Sequence, residues 1–433
     1  MTNFLILICF LVLAFISYKI SKDFLCPPCI LSVSWALPFL FLVITESFKQ
    51  NSYDISFISF YYVIGVIIFN IGYFIINNKY YKKIENIEFN ENKKLTILFK
   101  LFIILEFLVV MYFLYDVNTF VKAHFEYNFW FTYKWNVSMG YYTDPVIIEY
   151  LRTASRIILC IMLVNLLNKN YDKKDTKWFI LQAISTFALN FLGQGRGAVF
   201  SLLIPLFVIY FMMKRNSKKE IIKASIIGIS LLIIVFVGYQ ILKNPYQNSS
   251  DNNIFVSIEN YLCGGVVAFL NWFDSPHQYY YGDYTFRFLF ALIKPLGFNV
   301  NVVSMVEPYV ENINGNIGNV YTFYKWYAND FGIVYALFWQ FIIGVIHGVI
   351  TKKMYIKHNS TTLVVFALSI YPLVMQFFMD EYITMLSVWI QTFFWIILIL
   401  KTNLFYTSLK EDDLIDYNKR NFKKSNKKFK TNN

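Results

Sequence analysis

The sequence predicts an all-α integral membrane protein, a polytopic bundle of about eleven transmembrane helices with one large external segment. Three observations carry that expectation. The chain is strongly apolar, 57% hydrophobic with a mean hydropathy of +0.47, and only 15% charged, whereas soluble domains carry about 25% charged residues. Its apolar residues gather into blocks of roughly 16–24, the length a helix needs to cross a bilayer. The blocks are continuously apolar and do not alternate, which selects helices over barrel strands.

Taken in order, the predicted spans are 3–18, 24–45, 55–76, 96–115, 147–167, 178–192, 198–213, 222–242, 331–350, 361–379 and 385–400. Met1 to Phe15 has neither a basic n-region nor a small-residue cleavage site, so it reads as a first span and not as a signal peptide. Every second connection is basic: Lys19 and Lys22, Lys79 to Lys94, Lys169 to Lys177, Lys214 to Lys223, Lys352 to Lys357, and a tail from Lys401 to Lys430. These hold most of the 39 basic residues, and the opposite connections hold few. Positive loops stay inside, so the N-terminus is expected outside and the C-terminus in the cytoplasm. The same alternation accounts for the net charge of +12 and argues against a nucleic-acid partner. Four regions follow: spans one to eight over 1–242, an external loop over 243–330, three further spans over 331–400, and a basic tail over 401–433. The tail is expected to be disordered and to lie against anionic membrane lipids.

Two segments on the outer side are long. The first, 116–146, is rich in aromatics: Phe125, Tyr127, Phe129, Trp130, Phe131, Tyr133 and Trp135. Within the second, Ile254–Phe273 and Phe286–Val303 are apolar but interrupted. They fit amphipathic surface helices, re-entrant hairpins or a further pair of spans. No internal repeat is visible, which argues against a carrier built from inverted halves. Elaborate polar surface is thus expected on the outer face.

Charges at the outer ends of spans are costly to bury, so they mark candidate chemistry. Glu149, Arg152 and Arg156 share one helical face. Against this stands a plain salt-bridged anchor, but one Glu cannot neutralise two Arg, and a surplus guanidinium suits a diphosphate. Gly193-Gln-Gly-Arg-Gly197 is a tight turn between two spans, whose backbone N–H groups beside Arg196 make an anion-binding concavity. A simple hairpin with a snorkelling Arg is the competing reading. The stretch from Gly318 to Gly332 offers Asn319, Tyr321, Thr322, Tyr324, Lys325, Trp326 and Tyr327 for hydrogen bonding and stacking. Asp330 is a candidate general base; an interfacial aromatic belt with a capping Asp is the alternative. The large loop adds Asp274, His277, Asp283 and Arg287, with His277 able to accept a proton near neutral pH. Asp380 and Glu381 lie at another outer span end.

His124, His347 and His358 show no metal-ligand spacing, so no metal site is expected. Cys26-Pro-Pro-Cys29 has redox spacing but stands alone before an apolar block, and reads as a bent helix start. No P-loop, dinucleotide fingerprint or GxSxG occurs, so any reaction needs an already activated substrate.

Three elements in this order resemble the oligosaccharide repeat-unit polymerases (Wzy-type) of O-antigen and capsule assembly. They are Gly195-Arg-Gly197 before an apolar span, Tyr261-Leu-Cys-Gly-Gly-Val-Val-Ala-Phe-Leu-Asn271 in the outer loop, and Asn319-Val-Tyr-Thr322 followed by Asp330-Phe-Gly332. The resemblance implies a GT-C-like membrane glycosyltransferase of the bacterial cytoplasmic membrane. Such an enzyme moves a growing chain from undecaprenyl diphosphate to the next lipid-linked repeat unit, with no cofactor or metal. A chain-length regulator is an implied partner. Arg196 would hold the diphosphate, and the 319–330 element would shape the sugar pocket. Some members carry a paired-arginine motif ending in Gly, but Met212 stands at that position here. Catalytic candidates are therefore Arg196, Asp330 and His277. Substrate-binding candidates are Arg152, Arg156, Asn319, Tyr321, Thr322, Tyr324 and Arg287. An O-antigen ligase and a lipid-linked oligosaccharide flippase are the rival expectations.

Overall fold

The computed structural model describes residues 2–48, 57–77, 93–123, 129–138, 140–168, 173–193, 195–214, 218–243, 254–305, 307–311, 317–402 and 404–408. The predicted basic stretches 79–92 and 169–172, the aromatics Phe125 and Tyr127, and the tail from 409 onward lie outside these residues. The fold is all-helical apart from two small antiparallel ladders. These join β1 (Lys93–Leu95) to β4 (Tyr406–Ser408) and β2 (Val310–Glu311) to β3 (Ile317–Gly318).

Each predicted span coincides with a helix. In chain order these are α1 (Thr2–Ser21), α2 (Pro27–Phe48), α3 (Phe60–Asn77), α4 (Ile97–Ala123), α6 (Val146–Leu167), α7 (Lys173–Phe191), α8 (Arg196–Lys214), α9 (Lys218–Lys243), α13 (Ile333–Lys357), α14 (Ser360–Val374) and α15 (Leu386–Lys401). Among the described residues seven helices are long and apolar enough to cross a membrane, an architecture compatible with a membrane helical bundle. The segments between contribute α5 (Phe129–Ser138), α10 (Ile254–Asp274), α11 (Arg287–Ile293) and α12 (Phe323–Phe331).

Apolar matching alone does not hold helices together in lipid, so close backbone approach matters. α3 and α13 achieve it through glycine. A Cβ on Gly344 would stand 2.3 Å from the Phe69 carbonyl oxygen, and one on Gly72 would stand 2.5 Å from that of Phe341. The Asn77 amide then donates to the Gly348 carbonyl at 2.7 Å.

Of the three readings of 254–273, the structure gives a helix packed into the bundle. α10 buries Cys263, Val266, Val267, Ala268 and Phe269 against α2 and α3. Tyr62 Oη donates to the Val266 carbonyl at 3.0 Å, and a Cβ on Gly265 would meet the Phe377 carbonyl at 3.0 Å. The central aromatic cluster forms there. Trp35 stacks on Tyr62 with ring centroids 4.7 Å apart, and Tyr324 meets Tyr61 edge-on at 5.0 Å. Segment 286–303 behaves differently, since α11 buries none of its residues. Cys26 and Cys29 are buried free thiols at the start of α2.

Candidate functional site

A cavity of about 620 Å³ opens at the end of the bundle where α6, α8 and α15 begin and α14 finishes. One wall is the face of α6 carrying Glu149, Arg152, Thr153 and Arg156. The end of α7, the turn after it and the start of α8 contribute Asn190, Gly193, Gly197, Ala198 and Ser201. Tyr371, Glu381, Gln391 and Thr392 close it from the side of α14 and α15. Two stretches singled out from sequence, the Glu-Arg-Arg stripe and the glycine turn, thus meet at one cavity.

The two arginines of α6 differ in kind. Arg152 is buried and all three of its nitrogens are engaged. They donate to Asp144 and Glu149 at 2.6 Å each and to the Leu189 carbonyl at 3.1 Å. Asp144 is itself held by the Tyr133 hydroxyl at 2.7 Å, which joins the aromatic helix α5 to the site. Burial, reinforced by the Asp144 carboxylate, pushes the Tyr133 phenol up, so it stays protonated and donates. Arg152 is therefore neutralised twice over, by a carboxylate that helix spacing alone does not reveal.

Arg156 is half-buried and faces the cavity. It donates to the hydroxyls of Ser201 and Thr153 and, at 3.2 Å, to the Arg152 carbonyl. Among the described residues no carboxylate reaches ion-pairing distance of Arg156; Glu381 acts on it through space. Counted together, Asp144 and Glu149 balance the two arginines, so the face carries no net surplus; Arg156 is the guanidinium that no carboxylate pairs among the described residues.

Glu381 is buried and accepts a 2.7 Å hydrogen bond from the Tyr371 hydroxyl. Burial pushes its carboxyl up to about 7; the neighbouring Asp380 adds to the rise, while Tyr371 and Arg156 oppose it. Asp380 is pushed up to about 6 by burial, against the hydrogen bonds it accepts from Thr384, Tyr382 and Tyr327. Gly197 stands where a Cβ would come 3.3 Å from the Tyr371 hydroxyl, so the glycine turn fits closely against this carboxyl–phenol pair. The first turn of α8 adds its N–H groups and positive dipole end to the same wall.

The remaining predicted residues do not line this cavity. Arg196 opens α8 with its guanidinium 5.0 Å from the Tyr261 ring centroid, and that ring stacks on Phe378 at 4.3 Å. Asp330 is fully buried, and its carboxylate accepts the backbone N–H groups of Tyr284 at 3.1 Å and Thr285 at 2.7 Å. Its two oxygens thus fix the segment before α11 to α12. His277 is exposed, stacked on Trp272 at 4.2 Å, with Nδ1 2.9 Å from the Ser275 carbonyl. Tyr321 donates to the Pro308 carbonyl at 3.1 Å under the ammonium of Lys325, which pairs with Glu307. Thr322 occupies the N-cap position of α12, Tyr324 is enclosed in the aromatic core, and Asn319 is half-buried. Arg287 Nε donates to the Val303 carbonyl at 2.8 Å.

One contact ties the 319–332 element to the cavity. Tyr327 Oη donates at 3.1 Å to Asp380, beside Glu381. The element supports the loop that presents the carboxyl. Sequence reasoning named Glu381 only as an outer acid and missed Tyr371 and Asp144. The signal for Glu381 is two adjacent acids directly after an apolar block; nothing in the linear sequence marks Tyr371.

Chemically, the cavity offers a guanidinium without a bound carboxylate, a carboxyl titrating near neutrality, and amide and hydroxyl groups from Asn190, Ser201, Gln391 and Thr392. Tyr150 and Trp389 supply aromatic walls. Such a set can hold an anionic group, hydrogen-bond hydroxyls and move one proton. Among the described residues no three His, Cys, Asp or Glu side chains are grouped so as to hold a metal ion. No protein-family model, curated protein or solved structure matches the chain.

Proposed function

We propose that this chain is a membrane glycosyltransferase that polymerises undecaprenyl-diphosphate-linked oligosaccharide repeat units. It would act from eleven spans and a GT-C-like arrangement, at the outer face of a bacterial cytoplasmic membrane. The observation that carries the proposal is the cavity holding Arg156, without an ion-paired carboxylate, together with the Glu381–Tyr371 pair. In the reaction an acceptor sugar hydroxyl attacks the anomeric carbon of the donor chain. The bond from that carbon to the diphosphate oxygen breaks, and undecaprenyl diphosphate leaves with the electron pair. Glu381 takes the hydroxyl proton, and Arg156, with the first turn of α8, offsets the charge developing on the diphosphate. Arg152, already paired, holds the shape of the wall. Tyr150 and Trp389 give apolar faces of the kind on which sugar rings stack. The resemblance of Gly195-Arg-Gly197, Asn319-Val-Tyr-Thr322 and Asp330-Phe-Gly332 to repeat-unit polymerases supports the same reading.

The test is surface-glycan profiling by gel ladder in a strain lacking the gene, complemented with Arg156→Ala. Deletion is expected to leave one repeat on the lipid acceptor and no ladder. Arg156→Ala at normal protein level is expected to reproduce that loss, and Arg156→Lys to recover little, since a point charge lacks the bidentate fork. Full-length polymer stranded on its lipid carrier would instead mean a ligase. Single repeats accumulating inside would mean a flippase, and an unchanged ladder would reject the pathway.

A further inference from the structure

The outer segment carries an apolar surface that the cavity does not use. Phe286, Leu289, Leu292, Leu296 and Phe298 are each between 44% and 74% exposed. Leu289, Leu292 and Leu296 recur at helical spacing, so they share one side of α11 and its continuation. Arg287 and Lys294 flank them.

This surface is held rigidly. Tyr280 and Tyr281 donate their backbone N–H groups to the carbonyls of Asn329 and Asp330 at 3.0 and 3.3 Å. The Asp330 carboxylate accepts those of Tyr284 and Thr285, and Trp326 Nε1 donates to the Tyr284 carbonyl at 3.0 Å. Arg287 to the Val303 carbonyl, at 2.8 Å, closes the far side. Every tether but the last runs to residues 326–330, immediately before α13 begins at Ile333.

The same segment also meets an exposed apolar stripe at the start of α13. Tyr281 meets Phe331 with ring centroids 6.2 Å apart. Phe331, Val334 and Phe338 are exposed along the start of α13, which is long and apolar enough to cross a membrane. The Tyr281–Phe331 contact therefore joins the segment that carries α11 to the exposed apolar start of a candidate span, and two cations, Arg287 and Lys294, lie beside the apolar residues of α11 and its continuation.

We propose that residues 286–298 form an interfacial element, inserted at the headgroup–acyl boundary of the leaflet in which α13 begins. The partner is the lipid surface itself. Continuity with α13 sets the depth, and Arg287 and Lys294 meet anionic headgroups while the leucines and phenylalanines face acyl chains. Asp330 acts as the tether that fixes this placement. The proposal stands independently of the glycosyl-transfer reading and requires only that α13 lies in a bilayer.

The full chain, reconstituted in vesicles of phosphatidylcholine and phosphatidylglycerol, tests it. Leu292→Cys, Leu296→Cys and Phe298→Cys are labelled with an environment-sensitive fluorophore, with Val334→Cys as the marker for the span. Wild-type protein labelled in parallel gives the background from the native cysteines. The expected result is that lipid carrying a shallow nitroxide removes more than half of the signal at all three sites, while aqueous iodide leaves it unchanged. Quenching by iodide and not by lipid would put the element in water and overturn the proposal. Protection from both quenchers would mean that protein covers the surface, and would overturn it equally.

Discussion

Arg152 and Arg156 are four residues apart on one helix, yet one is spent on structure and the other is available to a ligand. The difference comes from Asp144, which with Glu149 neutralises Arg152 and leaves Arg156 facing Glu381 across the cavity. Removing one partner of such a buried pair costs about 3–5 kcal/mol, which marks Arg152 as a wall that must be kept intact. Glu381 yields a pH prediction with two opposite slopes. Its folded-state value of about 7 lies above the ordinary glutamate value near ~4.3, so the folded protein holds a proton that the unfolded chain has lost between the two. Stability from this group is thus fully present at low pH and falls as pH rises through that window. Activity as a general base runs the other way, rising through about pH 7 as the carboxylate forms. Glu381→Gln should remove the acid limb of the rate profile and lower kcat by about 10²- to 10⁴-fold. A rate profile measured on purified protein with lipid-linked repeats checks this. An unchanged acid limb in the variant would place the base elsewhere.

At the scale of elements, the helices under the predicted spans were legible because a continuous apolar run has few other uses, and seven of them are long and apolar enough to cross a membrane among the described residues. The segment of α10 was marked with its bounds, but its place in the bundle was left open, and the reason is specific. Glu259, Asn260, Gly264, Gly265 and Asn271 interrupt its hydropathy, while the surface that accepts it comes from α2 and α3, far away in sequence. The site shows the same division. Helical spacing put Arg152 and Arg156 on one face, whereas Asp144 joins them only through the conformation of the segment after α5. Tyr371 reaches Glu381 only because the chain turns back over 375–385. Asp330 was read as a base from its position before a span, and geometry engages both oxygens with backbone N–H groups instead. The α3–α13 contact is also invisible in sequence, since Gly72 and Gly344 are unremarkable in apolar helices. It predicts that Gly344→Val lowers the thermal midpoint in detergent strongly. The new Cβ would meet backbone at 2.3 Å, and overpacking of this kind costs about 1–3 kcal/mol or more. Gly238→Ala on α9, where a Cβ meets nothing within 4 Å, is the control and should hold or raise the midpoint. Equal midpoints for both variants would mean that the two helices do not approach as closely as the glycines allow.

For the whole molecule, what matters is which side of the membrane the cavity faces. The cavity, the outer segment and the start of α13 share one end of the bundle: α13 begins where α14 finishes, and Tyr327 links α12 to the cavity loop through Asp380. The basic connections fall at the opposite end, after α1, between α6 and α7, after α8 and at the end of α13 among the described residues. Positive-inside bias predicts that the cavity lies outside, where lipid-linked repeats are joined in the proposed reaction. Paired reporters decide this. A fluorescent protein after Asn433 should light up in the cytoplasm, and alkaline phosphatase inserted after Asn299 should be active outside. Both signals together fix the cavity on the outer face and require an odd number of spans between residue 299 and the tail, as α13, α14 and α15 provide. A phosphatase silent at 299 with a dark tail reporter would turn the molecule over. The same arginine and carboxyl would then face the cytoplasm, polymerisation on the outer leaflet would be excluded, and a cytoplasmic anionic substrate would have to be sought.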